Sequence, residues 1–235
     1  DTPILVSAVT DPAASGLVDS NEAPGANITG TSDLTPVSSQ IEMIQKLVPD
    51  AKTIGVFYTS SETNSKLQAD MAIEAGEALG YEMQTYTVSQ TSEIQQVVES
   101  MIGKVDAIYI PTDNLLASNM PTVSMVANQA KLPLICGESG MVENGGLITN
   151  GINYFDLGVL TGKQAAEILE GADPATMPIE YCPEDSYTYT VNEDTAAEIG
   201  IEIPEEFLQD SEEVETEAST ETAEETETES ESAAE

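Results

Sequence analysis

Thr112, Asp113 and Asn114 follow directly on the run Ala107-Ile108-Tyr109-Ile110-Pro111. Four apolar residues closed by a proline read as a strand buried on both faces, the pattern of a parallel sheet. The polar triplet therefore stands at a strand's carboxyl end. In open α/β sheets ligands bind in the crevice beyond those ends, where a hydroxyl, a carboxylate and an amide can fix a small polar molecule. The same triplet also suits a capped strand-to-helix turn, with Asp113 or Asn114 accepting from the first free amides of the next helix. Other predicted strands end in the same way. Thr10 and Asp11 follow Ile4 to Val9, and Ser32 and Asp33 close the stretch from Ile28. Tyr58 leads into a polar loop with Glu62 and Asn64, and Glu138 follows Leu132 to Cys136.

Composition limits what these groups can do. The chain has 235 residues and no histidine, which removes the usual general base, the usual triad partner and the commonest metal ligand. An enzyme here would have to work with Asp, Glu, Lys, Tyr or Cys, for instance Asp113 with Glu138 as acid and base. No glycine-rich phosphate loop of the GxGxxG or GxxxxGK[ST] type is present, and no cofactor is implied. The formal net charge of −37 would repel a phosphate backbone, so nucleic acid is not a partner. Two cysteines, Cys136 and Cys182, are too few for a disulfide scaffold and lack metal-site spacing; buried free thiols are expected. No apolar run approaches a membrane span.

Strands and helices alternate along the chain, which predicts βαβ crossovers and a parallel sheet. Thr35-Pro36 is expected to cap and start a helix whose Ile41, Ile44, Leu47 and Val48 share a face. Thr53 to Tyr58 is a strand, followed by a helix that buries Leu67, Met71, Ala75 and Leu79 and stops at Gly80. Met83 to Val88 alternates more and belongs nearer an edge. Ser92 to Gln95 has capping-box spacing ahead of the stripe Ile94, Val97, Val98 and Met101. One helix is expected to carry Leu116, Met120, Val123, Ala127 and Ala130, and another to run from about Asp156 to Glu170. Tyr187 to Val191 is a strand and Glu193 to Ile199 a short helix. From Asp210 to Glu235 the chain is almost entirely Glu, Thr, Ser and Ala, without aromatics or basic residues, and is expected to be a disordered acidic tail.

Laid out in this order, the chain resembles the solute-binding proteins of ABC transporters, in the family that includes tryptophan-binding lipoproteins. The residues that carry the resemblance are Ala8-Val9-Thr10-Asp11-Pro12, Gly25-Ala26-Asn27-Ile28-Thr29-Gly30 and Ile54-Gly55-Val56-Phe57-Tyr58 with Glu62 and Asn64-Ser65. Pro111-Thr112-Asp113-Asn114, Gly137-Glu138 with Gly140-Met141-Val142, and Gly151-Ile152-Asn153-Tyr154 complete them. The resemblance implies a two-lobed type I periplasmic-binding α/β fold, with parallel sheets flanked by helices. Residues 1–31 and 150–182 would form a partial first lobe, and residues 32–149 and 183–209 the second. The first lobe is expected to be incomplete, with the signal peptide and lipid-anchoring cysteine in a missing amino-terminal region.

The function implied is the extracytoplasmic binding component of an importer, periplasmic or anchored at the cell surface, which delivers an amino acid, plausibly aromatic, to permease and ATPase subunits. Ligand contacts would come from Thr10, Asp11, Ser32 and Asp33 on one wall. Tyr58, Glu62, Asn64, Thr112, Asp113, Asn114 and Glu138 would supply the other, with Tyr154 at the return hinge. Carboxylates suit a ligand ammonium, while hydroxyls, amides and helix-start N–H groups suit its carboxylate. With no arginine in the chain, a bidentate guanidinium clamp is excluded. Tyr58 and Tyr154 could stack on an aromatic ligand or pack within a lobe. A sensor ectodomain of the same fold is the alternative binding reading.

Overall fold

The computed structural model describes residues 2–209 and 211–213. In chain order its elements begin with β1 (Ile4–Val6), β2 (Ile28–Ser32), α1 (Val37–Leu47), β3 (Thr53–Thr59), α2 (Thr63–Ala78) and β4 (Glu82–Val88). Next come α3 (Ile94–Met101), β5 (Ala107–Ile110), α4 (Asn114–Ala117), α5 (Met120–Gln129), β6 (Leu134–Cys136) and α6 (Ser139–Glu143). β7 (Ile148–Gly151), α7 (Tyr154–Leu169), β8 (Glu180–Tyr181), β9 (Thr188–Val191), α8 (Glu193–Ile199), α9 (Glu205–Leu208) and β10 (Ser211–Glu213) complete them.

The strands make two sheets. A small one has the order β1-β2-β8, all parallel, with α7 packed against β1 and β2. The large one has the order β10-β9-β7-β6-β5-β3-β4. Its inner strands are apolar because helices cover both faces, and successive residues serve opposite layers. Ile54, Val56, Ala107, Tyr109 and Ile135 face α1, α2, α8 and α9. Phe57, Ile108, Ile110, Leu134 and Cys136 face α3, α5 and α6. The chain passes between the sheets at residues 33–36, 152–153 and 182–187. Ile152, Leu157 and Cys182, with Tyr187 against them, form a small apolar cluster at two of these passages. Both cysteines are buried free thiols.

Glycine is required where backbones close on each other. Gly30 of β2 has φ +146°, and a Cβ there would run into the backbone of Val6. At Gly137, just past β6, a Cβ would lie 2.6 Å from the Pro111 carbonyl carbon and closer still to the Thr112 amide nitrogen. The exits of β5 and β6 are thereby pressed together.

Several sequence expectations are corrected. β1 stops at Val6, and Ala8 takes φ +60° where an extended residue is expected. The helix predicted across Leu116 to Ala130 is two, α4 and α5, because Pro121 cannot donate into a continuous helix. α1 has no side-chain cap: the Thr35 hydroxyl donates instead to Gln68 Oε1 at 3.3 Å. The capping-box spacing at Ser92 is not used either: Gln95, its second member, donates to the Glu99 carboxylate at 2.8 Å, and no side chain caps α3. α7 starts at Tyr154, before Asp156, where the Asn153 side chain caps it. One neighbour pair of the large sheet, β7 with β9, is antiparallel. Within the stretch expected to be disordered, Ser211–Glu213 adds to β9 as a parallel edge strand, where the ladder supplies backbone partners that composition cannot reveal. The remainder of that tail lies outside the described residues.

Candidate functional site

The strand order of the large sheet reverses between β3 and β5, which places a crevice at their carboxyl ends. Asp113 sits there, 1 % exposed. Its Oδ2 accepts from the Thr59 amide at 2.6 Å, and its Oδ1 accepts from the Thr59 hydroxyl at 2.8 Å and the Leu116 amide at 2.9 Å. The carboxylate thus ties β3 to β5 and caps α4, leaving both oxygens committed to protein donors. Glu62 is similarly engaged, accepting from the Asn114 amide at 3.0 Å, the Asn114 side chain at 2.7 Å and the Leu115 amide at 3.1 Å. Asn64 donates to the Thr112 carbonyl at 3.0 Å. Tyr58 is buried in the core layer beside α1 and α2. Among this group the Thr112 hydroxyl is a buried oxygen without a hydrogen-bond partner.

A second group gathers where the chain crosses between the sheets. Asp33, in the first passage, is buried, and its Oδ1 accepts from the Thr10 hydroxyl at 2.9 Å. The Ser32 hydroxyl donates to the Thr10 carbonyl at 2.6 Å and accepts from the Leu34 amide at 3.1 Å. The Tyr154 hydroxyl, from the first residue of α7, also hydrogen-bonds Asp33. Glu138 caps α6 through the Gly140 amide at 2.8 Å, and its charge acts on Tyr154. Asp11 lies apart, its Oδ1 holding the loop through the Ala14 amide at 3.0 Å and the Asn21 side chain at 2.9 Å.

Electrostatics separate the two groups. Burial pushes the Asp33 carboxyl above its ordinary value, partly offset by the Thr10 hydroxyl, its own amide and Tyr154. Burial likewise raises Glu138, with the charge of Glu143 adding to it against the Gly140 and Met141 amides. Tyr154 is 38 % exposed, yet burial of its hydroxyl, together with the charges of Asp33 and Glu138, raises its pKa. None of the interactions that act on Asp33 or Glu138 comes from a cation. The ion pairs among the described residues, Lys46–Glu206 and Lys66–Asp70, are on the exterior. Among the described residues no group of three carboxylates or thiols is placed to hold a metal ion.

A cavity of about 570 Å3 opens between the first turn of α1, Asn150 and the start of β9, and none of the sequence candidates lines it. A smaller one, about 210 Å3, contains Tyr154 between Ser139 and Thr188.

Sequence reasoning missed Gln40. It is fully buried on α1, where it receives the Tyr109 hydroxyl and donates to carbonyls at the exits of β6 and β7. The available signal was an amide on the apolar face that also holds Val37, Ile41 and Ile44. Thr59, the partner of Asp113, and Asn153, which accepts from the Phe155 amide at 2.9 Å, were also missed.

A family model described as ABC transporter substrate binding protein matches residues 1–215. The tyrosine-binding protein of Clostridioides difficile is 44 % identical over 195 residues, 83 % of this chain and 56 % of that protein. The chain spans about half the length of the curated relatives it matches. A Streptococcus pneumonia ABC domain in complex with L-Trp is 40 % identical with a TM-score of 0.83, over 90 % of this chain and 71 % of that one. A ligand-free, open substrate binding protein from Clostridium difficile is 42 % identical with a TM-score of 0.75, over 92 % and 72 %. The two-sheet α/β architecture is that of type I periplasmic-binding proteins.

Proposed function

Because the chain belongs to the ABC transporter substrate binding protein family, we propose that it binds an aromatic amino acid, tyrosine or tryptophan, for import. The two sheets would act as two lobes, residues 2–32 with 154–181 and residues 37–151 with 188–209, closing on the ligand. The observation that carries this reading is the buried Asp33, which accepts from the Thr10 hydroxyl at 2.9 Å and makes no ion pair with a lysine among the described residues, while its charge and that of Glu138 both act on Tyr154. A buried carboxylate without a counter-charge is costly, and a ligand ammonium entering between the lobes would supply that charge. The Tyr154 ring, partly exposed beside them, offers an aromatic face. The relatives that bind tyrosine and L-Trp support the ligand class. The Thr112 hydroxyl, a buried oxygen without a hydrogen-bond partner at the exit of β5, is a further polar group open to a ligand.

Family membership extends the proposal to an extracytoplasmic location and to permease and ATPase partners, with membrane attachment through a lipid anchor. Among the described residues no helix is long and apolar enough to cross a membrane. Delivery of an unchanged ligand requires no catalysis. Thermal-shift screening of the full-length protein against the twenty amino acids tests the reading. A rise of several degrees with tyrosine or tryptophan supports it, since a ligand that binds only the native state stabilises it by mass action. No response to either aromatic amino acid rejects it.

A further inference from the structure

Gln40 has no surface exposure, yet every polar atom of its side chain is engaged. Its Oε1 accepts from the Tyr109 hydroxyl of β5 at 2.8 Å. Its Nε2 faces the Asn150 carbonyl of β7 at 2.7 Å, the Gly137 carbonyl just past β6 at 3.2 Å and the Thr149 hydroxyl at 3.4 Å. Its own amide donates to the Pro36 carbonyl at 3.0 Å, so it belongs to the turn in which the first passage enters α1. One side chain therefore fastens α1 to β5, β6 and β7. Gly137 immediately precedes Glu138, and Asn150 lies in β7 just ahead of the return passage that leads to Tyr154.

We propose that Gln40 is a positioning residue of the ligand site: it fixes the Gly137 and Asn150 carbonyls, and through them holds Glu138 and Tyr154 in the geometry that receives the ligand. This rests on the amino-acid-binding reading above. The alternative to these bonds is two buried carbonyls without donors, which the backbone would relieve by shifting. Side-chain carboxylates and rings anchored a residue or a few away would move with it.

The test uses the full-length protein with Gln40→Met, close in size and without the donors, and Val98→Ala, a cavity in the opposite core layer. L-tyrosine affinity is read by calorimetry and backbone mobility by amide hydrogen exchange. Gln40→Met is expected to weaken L-tyrosine binding at least about tenfold and to speed exchange at Gly140 and Gly151, while Val98→Ala lowers the melting temperature with affinity unchanged. Equal affinity in Gln40→Met and wild type, or equal weakening in both variants, overturns the inference. If wild type binds no aromatic amino acid, the functional reading fails, and unchanged exchange at Gly140 and Gly151 in Gln40→Met would separately refute the positioning role. Gln40→Leu, which also lacks the donors, reports the same loss if Gln40→Met does not fold.

Discussion

The Thr10 hydroxyl donates to Asp33 Oδ1 across 2.9 Å, joining the loop after β1 to the first passage between the sheets. The bond lowers the cost of keeping a carboxylate buried. Thr10→Val retains the shape and removes the donor. It is expected to cost about 1–2 kcal/mol of stability, read as a lower urea midpoint, and to raise the Asp33 pKa further, read by NMR titration of its carboxyl carbon. An unchanged pKa would mean that Thr10 does not set the charge state of Asp33.

Acidity should move stability and binding in opposite directions. Burial holds the Asp33 and Glu138 carboxyls above their ordinary values of 3.8 and 4.5. Between those values and the raised ones the native state binds more protons than the unfolded chain, so stability falls as pH rises through that window. Lowering the pH from neutrality toward the ordinary carboxyl values is expected to raise the melting temperature of the ligand-free protein, and Asp33→Asn to flatten the rise. L-tyrosine affinity should weaken over the same interval, because an ammonium needs ionised carboxylates. An Asp33→Asn profile parallel to wild type would show that this carboxyl does not titrate with folding.

Asp113 is expected to behave as a structural clamp. Removing its three protein donors' acceptor in Asp113→Ala should cost about 3 kcal/mol in a urea titration. The L-tyrosine affinity of the molecules that remain folded should change by less than about threefold. A variant of near-normal stability with binding abolished would instead place Asp113 against the ligand.

The contrast between Asp113 and Asp33 shows what the sequence can and cannot convey. Apolar runs flanked by polar residues made the strands of the large sheet legible, including β4 at its edge, because burial on both faces forces Ile54, Val56, Ile108 and Ile110 to be apolar. The same pattern marks Thr112 to Asn114 and Ser32 to Asp33 equally. What distinguishes them is three-dimensional: the pairing of β3 with β5 brings the Thr59 amide and hydroxyl to Asp113, just past the end of β5, whereas Asp33 meets the hydroxyls of Thr10 and Tyr154 and no cation. Gln40 was hidden for a related reason, since its partners come from β5, β6 and β7, far off along the chain. β10 depends on a ladder with β9 that no local propensity in Ser211 to Glu213 announces.

Gly137→Ala probes how tightly the strand exits are pressed. The added methyl would meet the Pro111 carbonyl carbon at 2.6 Å, and backbone cannot yield as a side chain can. A loss of at least about 2 kcal/mol is expected in denaturant titration, with weaker L-tyrosine binding through displacement of Glu138. A variant as stable as wild type would show that the β5 and β6 exits can part without cost.

The most direct measurement compares, by calorimetry on the full-length protein, L-tyrosine with its analogue lacking the amino group, in wild type and in Asp33→Asn with Glu138→Gln. Recognition of the ammonium by this carboxylate pair predicts that wild type prefers L-tyrosine by at least about a hundredfold, and that the double variant loses most of that preference. Equal affinity of wild type for the two compounds, or a preference that survives in the double variant, would contradict it.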